Sequence, residues 1–143
     1  MDGVSGMTIA AALVLLAGGS APAPRSLTGT WEWGSFATGS GVLVVIDDAD
    51  GTRFQLQLSR GEPVNNLGFL EGRLTVKDGL ATHVRRDGQS HCEITFRFAR
   101  ETVALKQTVG SSAECDFGNG VSADGTYRRT SRKKPTLDLI PQD

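Results

Sequence analysis

The stretch that decides the fold reads Cys92-Glu-Ile-Thr-Phe-Arg-Phe98 and continues, after a short turn, as Thr102-Val-Ala-Leu-Lys-Gln-Thr-Val109. In the first run Ile94, Phe96 and Phe98 alternate with polar residues, and the second run keeps the same period of two. This period is typical of a strand with one face in a core and one face in water. The pair therefore predicts a β-hairpin, after which the chain returns Cys115 toward Cys92.

Turn signals repeat on both sides of this hairpin. Asp-Gly is the residue pair that tight hairpin turns favour, because these residues adopt positive φ at little cost. Four such pairs lie between or beside alternating runs: Asp50-Gly51, Asp78-Gly79, Asp87-Gly88 and Asp124-Gly125. Their spacing predicts an antiparallel meander.

The meander should contain about eight strands, of which Leu27–Trp33 is the first and Gly125–Thr130 the last. After the first two dozen residues, no apolar stripe at helical spacing extends over ten residues, so we expect an all-β domain. Open sheet edges invite aggregation, and closure of the last strand on the first avoids them. A small barrel is the predicted architecture, and a β-sandwich is the alternative.

Three local features refine this prediction. Trp31 and Trp33 are two residues apart, so both should face the core as a plug or cap. The run Val42–Ile46 is apolar on both faces. Gly72 interrupts an alternating run and predicts a bulge or bend there.

Bulk properties limit the classes of function. The chain has 143 residues and a formal net charge of −1, so it has room for one domain and no basic footprint for nucleic acid. Residues 1–23 form an apolar block followed by Ala-Pro repeats, which predicts a signal peptide and a periplasmic or secreted protein. Residues 24–132 are the predicted β domain, with no transmembrane segment after the signal. Residues 133–143 should be a flexible tail, and the basic residues around its start either are solvated or contact an anionic partner.

Export changes how the two cysteines are interpreted. In an oxidising compartment the only two cysteines of a small domain usually pair, and a Cys92–Cys115 bond would contribute about 3 kcal/mol of stability. A reactive thiol or a zinc site completed by His83 and His91 is the competing interpretation.

The remaining chemistry is sparse. Asp47-Asp-Ala-Asp-Gly51 resembles a calcium loop in its spacing but lacks the further ligands, so a hairpin turn is the alternative to a calcium site. His83 and His91 are either surface or turn residues or a weak metal or acid/base pair. No Gly-x-Ser-x-Gly elbow, phosphate loop or dinucleotide fingerprint is present. We therefore expect a protein that is not an enzyme and has no cofactor and no metal.

The segment Cys115-Asp-Phe-Gly-Asn-Gly-Val121 is the best candidate site. Phe117 is flanked by glycine and held near the predicted disulfide. It either points outward as a rigid anchor for a partner or turns inward as a core plug.

These motifs, with Asp124-Gly-Thr-Tyr127, resemble small exported bacterial β-domains of the lysozyme-inhibitor-like kind, over about residues 67–134. Relatives of this kind carry glycine after the second cysteine, where this chain has Asp116. Membrane-bound lysozyme inhibitors, which are compact antiparallel barrels with a disulfide, enter the lysozyme cleft with a Ser-Gly-x-x-Tyr loop. Here Ser122-Ala-Asp-Gly-Thr-Tyr127 departs from that pattern.

The resemblance and the lack of catalytic groups imply an exported binding module that inhibits lysozyme or another peptidoglycan hydrolase, or an immunity-type protein. The residues expected to contact the partner are Asp116, Phe117, Asn119 and Asp124. Two alternatives stay open: a small calycin-like barrel that carries an apolar ligand, and a structural envelope protein.

Overall fold

A computed structural model describes residues 26–142, and the predicted signal peptide lies outside them. This part of the chain forms eight strands and no helix: β1 Gly29–Ser35, β2 Gly39–Asp48, β3 Gly51–Ser59, β4 Leu67–Leu74, β5 Leu80–Asp87, β6 Ser90–Phe98, β7 Thr102–Val109 and β8 Gly125–Ser131. The all-β prediction and the predicted number of strands are confirmed.

All strand pairs are antiparallel, and the spatial order is β4-β3-β2-β1-β8-β7-β6-β5. The first and last strands pair, with Trp31 opposite Arg129 and Glu32 opposite Arg128. The prediction that β8 closes on β1 is therefore confirmed, and the structure is a barrel rather than a sandwich. The barrel is nearly closed, because β4 and β5 stand side by side without a ladder of hydrogen bonds between them. We call this gap the seam.

Three of the four Asp-Gly pairs lie at short turns between consecutive strands, whereas Asp124-Gly125 ends the long β7–β8 connection and Gly125 is the first residue of β8. At Asp78-Gly79 both residues have positive φ, 52° and 78°, which is the backbone of a type I′ hairpin turn. The bulge or bend predicted at Gly72 is wrong. Strands β3 and β4 pair in unbroken register from Thr52 opposite Leu74 to Ser59 opposite Leu67. Gly72 instead leaves space for a side chain from β5, since a Cβ built there would lie 2.6 Å from Cε1 of His83.

Aromatic side chains fill the barrel. The rings of Phe54 and Phe96 meet edge to face at 5.1 Å between centroids, and those of Trp31 and Phe98 at 5.6 Å. The predicted common face of the tryptophans is confirmed, because Trp31 is fully buried and Trp33 packs on Tyr127 at its edge. Such pairs add to the stabilisation that burial itself provides.

The last residues cross the outside of the barrel. Residues 132–142 form no strand, and the backbone N–H of Leu139 donates a hydrogen bond of 3.0 Å to Oε1 of Gln55 on β3. Gln55 is the cross-strand neighbour of Val44, which is buried although it lies outside the core cluster. The tail therefore reaches the outer face of the sheet at Gln55, the face toward which its cross-strand neighbour Val44 also points.

The predicted disulfide is present between Cys92 on β6 and Cys115 in the β7–β8 connection, with a Cα–Cα distance of 5.0 Å. Both residues are buried. The bond ties the longest connection of the barrel to the neighbouring hairpin.

Replacing both cysteines, Cys92→Ala with Cys115→Ala, should lower the free energy of unfolding by about 3 kcal/mol, because the unfolded chain regains the entropy of an open loop. Urea denaturation followed by tryptophan fluorescence measures the change. Chemically reduced wild type is the control and should show the same loss. A loss below about 1 kcal/mol in both would contradict this assignment of stability to the disulfide.

Candidate functional site

Four connections share one end of the barrel, because alternate connections of an antiparallel meander lie at the same end. They are residues 36–38, 60–66, 88–89 and 110–124, and we call them together the loop rim. The candidate segment Cys115–Val121 belongs to the largest of them. The rim therefore contains all four residues that the sequence predicts to contact a partner. Three of them, Asp116, Phe117 and Asn119, lie within this segment, and Asp124 lies beside the start of β8.

The largest connection is held by its own hydrogen bonds. The backbone N–H groups of Cys115 and Phe117 donate to the carbonyl oxygens of Ser111 and Ser112, at 3.0 and 2.8 Å. The hydroxyl of Ser112 donates to the carbonyl oxygen of Val121 at 2.7 Å. These bonds join the start of the connection to its middle and to Val121, so the connection forms a folded lobe rather than an extended link.

Phe117 points inward, so the structure selects the core-plug alternative. Its side chain is only 6% exposed. A glycine on the inner face of β4 makes this possible, since a Cβ at Gly68 would lie 2.8 Å from Cδ1 of Phe117. The adjacent Gly118 donates its N–H to the carbonyl oxygen of Leu67 at 2.9 Å. Phe117 therefore seals the barrel and is not presented to a partner.

Asp116 is exposed and lies beside β5. Its carboxylate is 3.5 Å from the guanidinium of Arg85, which also donates to the carbonyl oxygen of Cys115 at 3.3 Å. The backbone φ of Asp116 is 59°, in the left-handed region that favours glycine. This conformation explains physically why glycine suits the position after the second cysteine, and aspartate is one of the few other residues that tolerate it.

Asn119 and Asp124 differ in what they can offer to a partner. Asn119 is exposed, and its backbone carbonyl accepts a hydrogen bond of 2.8 Å from the amide of Asn66. Asp124 is also exposed, but its Oδ1 accepts from the backbone N–H of Gln107 at 2.6 Å. Asn119 thus leaves its side chain available, whereas Asp124 already has a structural role in the β7–β8 connection.

Sequence reasoning missed the two most exposed apolar residues of the rim. Phe36 is 65% exposed and Val64 is 57% exposed. Their loops touch, because the N–H of Glu62 donates to the carbonyl oxygen of Ala37 at 3.0 Å. The available signal is a lone phenylalanine in the small-residue segment from Gly34 to Gly41.

The rim also carries an excess of negative charge. Within its four connections the acidic residues are Glu62, Glu114, Asp116 and Asp124, all exposed, and the one basic residue is Arg60. A patch of one dominant sign steers a partner of the opposite sign toward it. Phe36 and Val64 are thus exposed apolar residues on a surface with an excess of acidic side chains.

The two histidines do not form a pair. His83 faces inward on β5, with its ring edge to face on Phe54 at 5.1 Å, whereas His91 on β6 lies 3.5 Å from the carboxylate of Glu93. Burial lowers the pKa of His83, the charge of Arg85 lowers it further, and a hydrogen bond with the Arg73 backbone offsets part of the effect. His83 is consequently neutral at neutral pH and serves as a packed ring.

The carboxylates of the β2–β3 turn are engaged by the fold. Asp47 accepts from the Thr52 hydroxyl at 3.0 Å, and Asp48 lies 3.5 Å from the guanidinium of Arg53. In residues 26–142 no group of three or more His, Cys, Asp or Glu side chains is arranged to hold a metal ion. The hairpin-turn alternative describes this segment as it is observed.

Comparison of the chain with protein-family models, curated proteins and solved structures found no match in any of the three. Over the described part of the chain, no helix is long and apolar enough to cross a membrane.

Variants of Asp116 should separate backbone strain from the ion pair. Asp116→Gly and Asp116→Ala both lose the exposed pair with Arg85, which contributes at most about 1 kcal/mol. The alanine variant has a Cβ in the left-handed region and the glycine variant has none, so Asp116→Ala should be less stable than Asp116→Gly by about 1 kcal/mol. Urea denaturation of both variants provides the comparison. An alanine variant as stable as the glycine variant would contradict this explanation.

His83 should make stability depend on pH. Its pKa is lower in the folded protein than in the unfolded chain, where it is about 6.5. The unfolded chain therefore binds more protons below that pH, and the free energy of unfolding should fall as the pH decreases from 7 to 5. His83→Gln should flatten this part of the profile, and His91→Gln is the matched control that should retain it. Parallel profiles for His83→Gln and wild type would refute the assignment.

Proposed function

We propose that this protein is an exported protein-binding module that inhibits a peptidoglycan hydrolase through the loop rim. The observation that carries the proposal is the exposed aromatic ring of Phe36, in a loop that is hydrogen-bonded to the loop of the exposed Val64. Large aromatic side chains dominate the energy of protein interfaces, and a ring that is 65% exposed can bury much of its remaining area against a partner. The proposal assigns the protein to binding rather than to catalysis.

The rim is pre-organised, which favours tight binding. The β1–β2 and β3–β4 connections support each other through the Glu62 to Ala37 hydrogen bond, and Asn66 ties the second of them to Asn119. The disulfide and the buried Phe117 fix the remaining lobe to the barrel. A rigid surface loses little conformational entropy on association, so more of the contact energy remains as affinity.

The charge of the rim indicates the class of hydrolase. Asp116 is paired with Arg85, and the other three acids, Glu62, Glu114 and Asp124, still outnumber Arg60. This excess would attract an enzyme whose cleft entrance is basic, and would raise the rate of association at low salt. In this proposal Phe36 takes the role of cleft-entering anchor that the sequence had offered to Phe117. Asp116 and Asn119 contribute at the margin of the same surface.

The alternative function, carriage of an apolar ligand inside the barrel, has less support. The interior is occupied by Trp31, Phe54, Phe96 and Tyr127, each buried to at least 99%, and their rings are in contact with neighbouring rings. A ligand of comparable size would have to displace several of them, at a cost of several kcal/mol.

The test is inhibition of a panel of animal and bacterial peptidoglycan hydrolases by the oxidised protein. Phe36→Ala should raise the inhibition constant about 30-fold, the effect of losing an interface hot spot of about 2 kcal/mol. Leu80→Ala is the matched control, because Leu80 is an exposed apolar residue at the opposite end of the barrel, and it should leave inhibition unchanged.

Each outcome has a defined meaning. The absence of inhibition by wild type across the panel would overturn the proposed function. Inhibition that Phe36→Ala leaves intact would keep the function but remove the rim as its site. Phe117→Ala should instead lower stability, because it empties part of the core.

A further inference from the structure

The seam leaves backbone groups of two neighbouring strands without strand partners. The N–H of Arg60 donates to the carbonyl oxygen of Asn66, and this bond shows which residues of β4 direct their backbone groups toward β3. Because pairing alternates along an antiparallel ladder, Leu67, Phe69 and Glu71 direct their N–H and C=O groups into the seam. The hydrogen bond from the N–H of Gly118 to the carbonyl oxygen of Leu67 agrees with this, because that carbonyl points away from β3.

The same reasoning applies to β5. The two-residue turn between Asp87 and Ser90 makes these residues the closing hydrogen-bonded pair of the hairpin with β6. Arg86 and Val84 therefore direct their backbone groups away from β6 and into the seam. Within residues 26–142 neither the free edge of β4 nor that of β5 forms a ladder with another strand.

A cleft of about 580 Å³ lies between these two edges. Its walls and ends include Phe69, Glu71, Val84, Arg86, Asp116 and Ile140. Val84 is an exposed apolar residue at its mouth. The cleft thus offers apolar surface beside unpaired backbone groups, which together are the requirements for adding an extended peptide strand.

The chain's own tail forms part of the wall of the cleft. Ile140 lines it, and the neighbouring Leu139 is tied to Gln55 on the outer face of β3. The tail covers the mouth without pairing with either strand edge, since no strand follows Ser131 in the described part of the chain. An aliphatic side chain of the tail therefore borders the cleft, and the backbone groups of the two strand edges are left for another segment.

The charges in the cleft select a carboxylate. Glu71 accepts a hydrogen bond of 2.9 Å from Gln55, and Arg85 pairs with Asp116. Arg86 is exposed, and among the described residues no carboxylate lies within 4.0 Å of its guanidinium. Its positive charge is thus the one that a bound segment can neutralise.

We propose that the seam binds an extended segment of a partner protein by strand addition, with an aliphatic side chain between Phe69 and Val84 and a carboxylate against Arg86. The bound segment hydrogen-bonds to the free edges and completes the barrel. The C-terminal tail covers the same mouth, so it competes with the partner. This surface lies on the side of the barrel, and the proposal does not depend on the function of the loop rim.

The probe is the capped pentapeptide Thr-Ile-Thr-Asp-Thr, whose Ile and Asp lie two residues apart and therefore on the same face of an extended chain, as Val84 and Arg86 do on β5. Binding to the full chain is measured by titration, and hydrogen exchange of the backbone amides locates it. The peptide should slow exchange of the Val84 and Arg86 amides at least 10-fold at saturation. It should bind Ile140→Ala about 10-fold more tightly than wild type, because the tail then competes less.

Two controls isolate the mechanism. Thr-Ile-Pro-Asp-Thr lacks one backbone donor and should bind at least 10-fold more weakly than the parent peptide. Arg86→Gln should weaken binding of the acidic peptide about 5-fold but leave binding of the variant peptide with asparagine in place of the aspartate unchanged. Both effects would support strand addition with a carboxylate contact.

Several results would overturn the proposal. One is failure of the peptide to bind Ile140→Ala at millimolar concentration, and another is binding that protects amides of the rim instead of those of the seam. A third is concentration-dependent protection of the seam without peptide, together with a dimer in light scattering, which would make a second copy the occupant.

Discussion

The contact that the rest of the structure depends on is the insertion of Phe117 beneath Gly68. Strands β4 and β5 share no ladder, so backbone hydrogen bonds do not close the barrel at this point. The β7–β8 connection closes it instead, with an aromatic ring in the core, a hydrogen bond from Gly118 to Leu67 on β4, and an ion pair from Asp116 to Arg85 on β5. The disulfide holds this connection in place, because Cys115 lies two residues before Phe117.

Along one short segment, buried residues that stabilise the barrel alternate with exposed residues. Cys115, Phe117 and Val121 are buried and belong to the core, whereas Asp116 and Asn119 between them are exposed. Alternation of buried and exposed residues lets the lobe seal the barrel and still present a polar edge. The exposed apolar contacts are then left to the neighbouring connections, where Phe36 and Val64 can be replaced without disturbing the core.

Much of the fold was predictable, since strand period, Asp-Gly turns and the two cysteines each reflect local chemistry that the sequence displays. The alternation through Ile94, Phe96 and Phe98 and the closure of β8 on β1 needed no knowledge beyond those rules. The seam was not predictable, because it depends on which strands fail to pair. Gly68 and Gly72 on the inner face of β4 indicated the seam in the sequence. A glycine in a strand, however, can mark a bulge as well as a position where a ring from elsewhere in the chain packs closely.

The site was harder to predict because exposure, unlike strand period, is a tertiary property. Phe36 and Phe117 both lie in glycine-framed segments, and the sequence does not distinguish the ring that turns inward from the one that stays in water. The difference arises from the surroundings: Phe117 meets a strand that lacks a side chain at Gly68, whereas Phe36 lies at the tip of a hairpin with no strand above it. Space left by a glycine on a neighbouring strand therefore decides whether an aromatic loop residue is buried or exposed. Where the chain provides none, the ring remains available for a partner to bury.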